Sequence, residues 1–226
     1  MMPKKNIAIV LLSGGLDSAT CLAIAKSDGF DCFALSFDYG QRSRSELNAA
    51  KKLGETYEVL EHKVVHLDIG QLGGSALTDL SIEIPKEETA GIPATYVPAR
   101  NTVFISYALA WAEVKKASAI YIGVNALDYS GYPDCRPEYI KAFQNVVNLA
   151  TKAGVEGKKI KLETPLISYT KAEIIKKGTR LGVNFADTVS CYQADFDGSA
   201  CGECDSCRLR RNGFLDSELE DVTIYK

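Results

Sequence analysis

Leu11-Leu12-Ser13-Gly14-Gly15-Leu16-Asp17-Ser18 follows the apolar run Ile7-Ala8-Ile9-Val10 and precedes a stretch of helical period from Ala19 to Lys26. A buried strand that turns through two glycines and hydroxyl groups into a helix start is a place to hold phosphate. Glycine lets the backbone approach an anion closely, and the first helical turn offers amides without intrahelical partners. Ser13 and Ser18 add hydroxyl donors. The stretch is not a Walker loop, since no Gly-Lys-Ser/Thr follows at the required spacing, and it is not G-x-G-x-x-G either. A plainer reading is a serine-rich turn in which Asp17 or Ser13 caps the helix.

Working outward, apolar runs of strand length alternate with helical periods: Asn6 to Leu12 then Ala19 to Ser27, Asp31 to Phe37 then Ser43 to Thr56, and Tyr57 to Leu67. Asn101 to Lys116 reads as a helix and Ser118 to Val124 as a strand. This alternation predicts an α/β fold, a doubly wound parallel sheet covered on both faces. Pro137 to Thr151 and Lys171 to Leu181 read as further helices, the first opening on proline and the second capped by Thr170. Residues Ile69 to Pro98 carry four glycines and three prolines, which prevent any long regular element. A loop of that length is expected to be a flap or substrate wall. Gly123 to Pro137 is a second irregular segment after a strand, and ligands of open parallel sheets sit at the carboxyl ends of strands. Both segments are expected to border one pocket.

The 226 residues suffice for one domain with a small appendage, and an apolar share of 46% provides a core. Against 29 acidic residues stand 26 basic ones, a net charge of −3, so no global basic field advertises nucleic acid. A small-molecule substrate is the expected partner. The start lacks the apolar core and cleavage site of a secretory signal, and no run approaches a membrane span, so a cytoplasmic protein without a membrane partner is expected. Seven cysteines in that compartment point to metal ligands and buried thiols rather than disulfides.

Four of them, Cys191, Cys201, Cys204 and Cys207, form C-x9-C-x2-C-x2-C with Gly202 in a turn between ligands. Two-residue spacers let successive thiolates face one point, and four sulfurs at tetrahedral corners suit zinc. An iron–sulfur cluster or a redox-reactive tail uses similar spacing. Four protein thiolates leave no open position, so one zinc per chain would be structural, folding a tail too poor in apolar residues to fold alone. The chain thus divides into an α/β body, residues 1–186, and a cysteine-rich segment, residues 187–226.

The Ser-Gly-Gly-x-Asp-Ser loop resembles the pyrophosphate (PP) loop of ATP pyrophosphatases, which activate a substrate oxygen as its adenylate. A more specific resemblance is carried by Ser36-Phe37-Asp38-Tyr39-Gly40-Gln41-Arg42, Tyr96-Val97-Pro98-Ala99-Arg100-Asn101 and Asp128-Tyr129-Ser130-Gly131-Tyr132-Pro133-Asp134-Cys135-Arg136. Glu163-Thr164-Pro165-Leu166, Lys171-Ala172-Glu173 and the four tail cysteines extend it over nearly the whole chain. Together they resemble the QueC family, the 7-cyano-7-deazaguanine synthases of queuosine precursor biosynthesis.

That resemblance implies ATP-dependent ligation of ammonia to 7-carboxy-7-deazaguanine, through an adenylated carboxylate and then an adenylated amide, ending in a nitrile. It implies that ATP, with magnesium, lies along Leu11, Leu12, Ser13, Gly14, Gly15, Leu16, Asp17 and Ser18, and that adenine meets Ser36 and Phe37. Asp17 would position the magnesium, while Arg100 and Lys171 would stabilise charge developing on phosphate oxygens. For the flat, polar-edged base, Asp128 or Asp134 would accept from the amine and ring nitrogen. Tyr129 or Tyr132 would stack, with Ser130 and Gly131 between them, and Arg136 would pair with the carboxylate. The resemblance also suggests a homodimer. Two positions depart from the family's pattern: Ala99 stands where many members carry glycine, and Ser43 where histidine is expected. Two rival readings are a PP-loop enzyme acting on a tRNA base, for which Lys158, Lys159, Lys161, Lys176, Lys177, Arg180, Arg208, Arg210 and Arg211 are a modest basic supply, and a non-catalytic ATP-binding sensor.

Overall fold

A computed structural model describes residues 6–86, 91–127 and 131–226. Its strands are β1 (Ile7–Leu11), β2 (Asp31–Asp38), β3 (His62–His66), β4 (Ala119–Tyr121) and β5 (Lys161–Glu163). Its helices are α1 (Leu16–Ser27), α2 (Ser45–Thr56), α3 (Arg100–Lys115), α4 (Pro137–Leu149), the single turn α5 (Lys152–Val155), α6 (Lys171–Arg180) and α7 (Asp205–Ser217). Short 3-10 turns occupy Asp68–Leu72, Pro133–Cys135 and Phe185–Asp187.

All strand pairs are parallel, in the order β3-β2-β1-β4-β5. The α/β alternation and the parallel sheet are as expected. Ala8 pairs with Cys32 on one side and Ala119 on the other, so β1 is the central strand. The chain leaves β1 toward β2 in one direction and later returns to β4 on the opposite side. The switch point of this order therefore lies between the carboxyl ends of β1 and β4, where a crevice opens.

Both faces of the sheet are buried. Ile9 and Leu11 join Phe33, Leu35, Ile105, Trp111 and Ile120 in one core, while Ala8, Val10 and Leu12 join Leu22, Ala34, Leu53, Ile174 and Phe214 in the other. Side chains alternate across a strand, so burial of both sets yields a continuous apolar run rather than an alternating one. Phe214 belongs to α7, and Cys191, Cys204 and Cys207 pack into the first core, so residues beyond 186 contribute to both layers.

Two elements lie outside the sequence expectation. Strand β5 is three residues long with Leu162 its one buried side chain. Helix α7 buries Ser206, Cys207, Arg210, Gly213, Phe214 and Ser217, a helically spaced face made mostly of polar and small residues. Thr170 caps α6 as expected, in a full capping box: its hydroxyl accepts from the Glu173 amide at 3.2 Å and its own amide donates to the Glu173 carboxylate at 2.8 Å. Pro137 occupies the first turn of α4. Among the described residues no helix is long and apolar enough to cross a membrane.

Candidate active site

The crevice at the switch point is a single cavity whose floor is the Ser13 to Ser18 loop. Gly15 is the N-cap of α1 and no side chain caps it, so neither Asp17 nor Ser13 serves as the cap, and the first turn of the helix lines the cavity. The Ser18 hydroxyl bridges the loop, accepting from the Gly14 amide at 3.2 Å and donating to the Gly15 carbonyl at 3.0 Å. Gly14 has φ +93°, and a Cβ there would fall 2.0 Å from the Glu46 carbonyl oxygen. Only glycine lets the loop lie against the first turn of α2.

Lys171, at the start of α6, reaches Asp17 with Nζ 2.8 and 2.9 Å from the two carboxylate oxygens. The lysine side chain is 10% exposed and the aspartate 21%, so the pair is poorly screened by solvent. The lysine stem is positioned by α7: a Cβ on Gly213 would meet Lys171 Cγ at 2.3 Å. Two residues assigned from the sequence to opposite ends of the chain thus meet over the phosphate loop.

Ser36 and Phe37 line the cavity from the end of β2. The Ser36 hydroxyl donates to the Leu12 carbonyl and contacts His62 Nε2 at 2.8 Å. Burial lowers the His62 pKa, and because the Ser36 proton is given to the Leu12 carbonyl, the contact with His62 is made by Nε2–H as donor. His62 braces β2 against β3 and stays out of the cavity. Phe37 stacks on Phe104 of α3, centroids 4.0 Å apart and planes 7° from parallel, a flat apolar wall suited to an adenine ring.

At the opposite end stand Arg100, Tyr132 and Cys135. Burial works against the Arg100 charge, but Tyr39, Tyr132, Cys135 and Asp134 around it outweigh that and raise its pKa overall. Burial pushes the Cys135 thiol and the Tyr39 phenol each up to about 12, so both stay protonated. Tyr132 is fixed by Thr95 at 2.9 Å, and Leu77 lines the same cavity, so both irregular segments border it as expected. Gly131 lies against Gly91, whose carbonyl oxygen would be 2.5 Å from an added Cβ. Asp134 is buried beneath the start of α3, where Oδ2 accepts the Asn101 amide at 3.0 Å and Oδ1 has no partner. Arg136 is exposed at the N-cap of α4 and does not line the cavity. Asp128, Tyr129 and Ser130 lie outside the described residues.

Three cavity groups, Glu46, Ser190 and Arg210, are not expected at this site from the sequence, where Arg210 reads only as part of a basic surface. Glu46, in the first turn of α2, accepts from Gln41 Nε2 at 2.9 Å. Burial pushes its carboxyl up from 4.5 to about 7, against the Gln41 hydrogen bond and the Arg100 charge, which lower it. Ser190 approaches the loop from the far end of the chain, its hydroxyl 3.5 Å from the Leu16 amide. Arg210 of α7 donates to Ser190 at 3.2 Å, to Thr188 at 2.8 Å and to the Phe185 carbonyl at 2.8 Å. The only signals in the sequence were negative: an acid two residues into a helix that follows a Gly-Gln-Arg turn, and an arginine three residues past the last cysteine.

The four tail cysteines converge. Their sulfurs all lie within 4.8 Å of one another, with Cys204–Cys207 at 3.5 Å, Cys201–Cys207 at 3.9 Å and Cys204–Cys191 at 4.0 Å. Four thiolates around one zinc would stand about 3.8 Å apart, from a Zn–S bond of about 2.3 Å. The amides of Gln193 and Cys201 point at the Cys191 sulfur, at 3.3 and 3.2 Å, as donors do toward a ligating thiolate. The set fits a metal ion such as zinc.

The fold is shared with solved structures of low identity. An NMN synthetase from Francisella tularensis, 18% identical, superposes with a TM-score of 0.51 over 97% of this chain and 79% of its own. A 4-thiouridine synthetase in complex with RNA and bound ATP, 17% identical, gives 0.53 over 93% and 53%. In sequence, the 7-cyano-7-deazaguanine synthase of Saccharophagus degradans is 64% identical over 218 residues, 96% of this chain and 97% of its own length. That of Thiobacillus denitrificans is 62% identical over 221 residues, 98% and 99%. The family model described as queuosine biosynthesis protein QueC matches residues 7–218, which takes in the phosphate loop, both irregular walls and all four tail cysteines, and the chain belongs to that family.

Proposed function

We propose that the protein is a 7-cyano-7-deazaguanine synthase, joining ammonia to 7-carboxy-7-deazaguanine at the expense of two ATP. The observation that carries this reading is a single cavity with three differently equipped zones: the helix-start amides of the loop and a lysine at one end, a flat aromatic wall beside them, and a half-buried arginine with tyrosines opposite. A carboxylate cannot accept ammonia directly because the leaving group would be oxide. With the outer phosphates of ATP on the loop and Lys171, and the carboxylate drawn to Arg100, the carboxylate oxygen meets the α-phosphorus. Its attack there makes a mixed anhydride and releases pyrophosphate, whose charge Lys171 and the loop amides stabilise. Ammonia displaces AMP to give the amide, and a second adenylation, now on the amide oxygen, allows loss of AMP to the nitrile.

The Asp17 carboxylate offers the hard oxygens that magnesium takes, and a magnesium-bearing ATP would supply further charge neutralisation at the phosphates. Tyr132, with Tyr129, Ser130 and Asp128 on the same segment, is assigned to the base. Asp134 and Gly131 are assigned to the shape of that wall, and of Arg100 and Arg136, the two arginines the resemblance brought to the site, Arg100 is the one that lines the cavity. The cysteine cluster is assigned to one structural zinc, and residues 187–226 are read as a metal-held segment on the α/β body of residues 1–186. A cytoplasmic homodimer that uses small molecules and no nucleic acid fits this chemistry.

Mass spectrometry after incubation with 7-carboxy-7-deazaguanine, ATP, magnesium and ammonium tests the assignment. The nitrile should form with two AMP per product, and Asp17→Ala should abolish pyrophosphate release. Pyrophosphate release that requires tRNA instead, or ATP bound and returned intact, would overturn it.

A further inference from the structure

An ammonia-transferring site has to dispose of protons, because ammonium carries no lone pair and predominates at neutral pH. The cavity offers few groups for this. Asp17 is committed to Lys171 through both oxygens. Tyr39, Tyr132 and Cys135 hold their protons, all pushed up by burial. Among the described residues no histidine lines the cavity. Glu46 is the second carboxylate there, one oxygen held by Gln41, which is itself locked by the Phe37 carbonyl at 3.0 Å and the Tyr39 amide at 2.8 Å.

We propose that Glu46 is the proton acceptor for the incoming ammonium, a catalytic base between the phosphate loop and Arg100. The placement follows from the backbone: the Glu46 carbonyl lies on Gly14, so the first turn of α2 is fixed to the loop that binds the phosphates. From α3, Arg100 faces the carboxylate; from the end of β2, Tyr39 does; the glycine loop brings no charge of its own apart from the Asp17–Lys171 pair. A base poised near neutrality suits this task, since its basic form is present while it still competes for a proton.

The step balances. Ammonium gives one proton to Glu46, and the lone pair so freed forms the C–N bond to the acyl carbon. The C–O bond to phosphate breaks with its pair, and the second proton leaves on AMP, which departs as the monoanion. The products are the neutral amide, protonated Glu46 and AMP.

This inference rests on the ligase reading, and hydroxylamine separates the two. It is uncharged at neutral pH and attacks an acyl adenylate without prior deprotonation, giving a hydroxamate. Glu46→Gln keeps an acceptor for Gln41 and removes the base. Amide formation from ammonium should fall by about 100-fold at pH 7, while hydroxamate formation stays within a small factor of wild type. The rate with ammonium should then climb with pH as free ammonia does, and Glu46→Asp should restore the wild-type acidic limb. Equal losses with both nucleophiles would make Glu46 a brace for Gln41 and overturn the proposal, as would an unchanged rate with ammonium. Failure of the wild type to form any hydroxamate from substrate and ATP would overturn the ligase reading itself, and the proposal with it.

Discussion

The glycine loop and the segment around Ser190 and Arg210 meet at one end of the cavity but are built in opposite ways. In the loop, every contact that shapes the turn is local or backbone: Ser18 to Gly14 and Gly15, and Gly14 against the first turn of α2. In the tail, shape comes from groups far apart in sequence, most of them side chains. The Val189 amide donates to the Gly14 carbonyl at 2.9 Å, Ser190 stands at the Leu16 amide, Arg210 ties Ser190 to α7, and Gly213 admits the stem of Lys171. The difference teaches that the cysteine cluster does more than fold a tail. Cys204 and Cys207 sit at the start of α7, the helix that contacts the stem of Lys171 and the Ser190 hydroxyl beside the loop.

The largest expected effect is on the loop. Gly14→Ala combines a left-handed φ with a 2.0 Å approach to a carbonyl oxygen, and neither partner is a flexible side chain. A loss of at least about 3 kcal/mol in stability, with ATP binding abolished, is expected from thermal unfolding and calorimetric titration. A variant with wild-type ATP affinity would mean that the loop tolerates a different path and that its backbone does not shape the site.

Next in size comes the tail. Arg210→Ala removes one donor each from the Phe185 carbonyl and Thr188, which keep their bond to each other, and leaves Asp221 without its cation, 3.7 Å away, in a place where the arginine side chain is 4% exposed. A destabilisation of about 3 kcal/mol is expected, together with about tenfold weaker ATP binding. Cys204→Ser should lower metal content, melting temperature and ATP affinity together. A loss of stability at unchanged ATP affinity in both variants would reduce the tail to a strap, and the contrast with the loop would fail.

A third test returns to the point where α2 meets the loop. The Glu46 carboxyl is raised from 4.5 to about 7 in the folded protein by burial, so over that window the native state binds the proton more tightly than the unfolded chain. Stability without ligand should therefore be greatest below about pH 4.5 as far as this group is concerned, and be lost as pH rises to about 7. Because the residue is only half-buried by surface, the loss is on the order of 1 kcal/mol rather than the full shift. Glu46→Gln should flatten the slope in denaturant titrations across that range, and a slope that survives would have to come from other carboxylates.

The same contrast governs what could be read in advance. The phosphate loop, β1 to β3 and the capping of α6 are legible because period, glycine and cap chemistry lie within a few residues of each other. Helix α7 is not, because its buried face is built from Ser206, Cys207, Arg210 and Gly213, whose burial depends on the sulfur cluster and on the stem of Lys171 rather than on their own apolarity. Strand β5 escapes notice because three residues with one buried leucine carry no period. Lys171 and Arg100 were legible as cations through family resemblance, but their partners were not. Glu46 meets Arg100 and Gln41, and Ser190 meets Leu16, only because the sheet order brings β1, β2 and the tail to one edge.

The smallest effect sharpens the comparison most, because it sets two left-handed residues side by side. Gly14 and Ala99 both have positive φ, +93° and +53°. At Gly14 the side chain is excluded by a carbonyl, whereas Ala99 ends the long irregular wall and begins α3, delivering Arg100 into the cavity, with its amide held by the Tyr96 hydroxyl at 3.0 Å. The conformation explains why glycine suits this position. A left-handed residue with a Cβ costs about 1–2 kcal/mol, part of which glycine returns through the greater freedom of its unfolded chain. Ala99→Gly should therefore raise stability by about 0.5–1 kcal/mol, read as a higher melting temperature, and leave the position of Arg100 intact. If the variant gains stability but its KM for the carboxylated base rises, the alanine is holding Arg100 in register, and this helix start constrains the substrate end of the cavity as the glycine loop constrains the phosphate end.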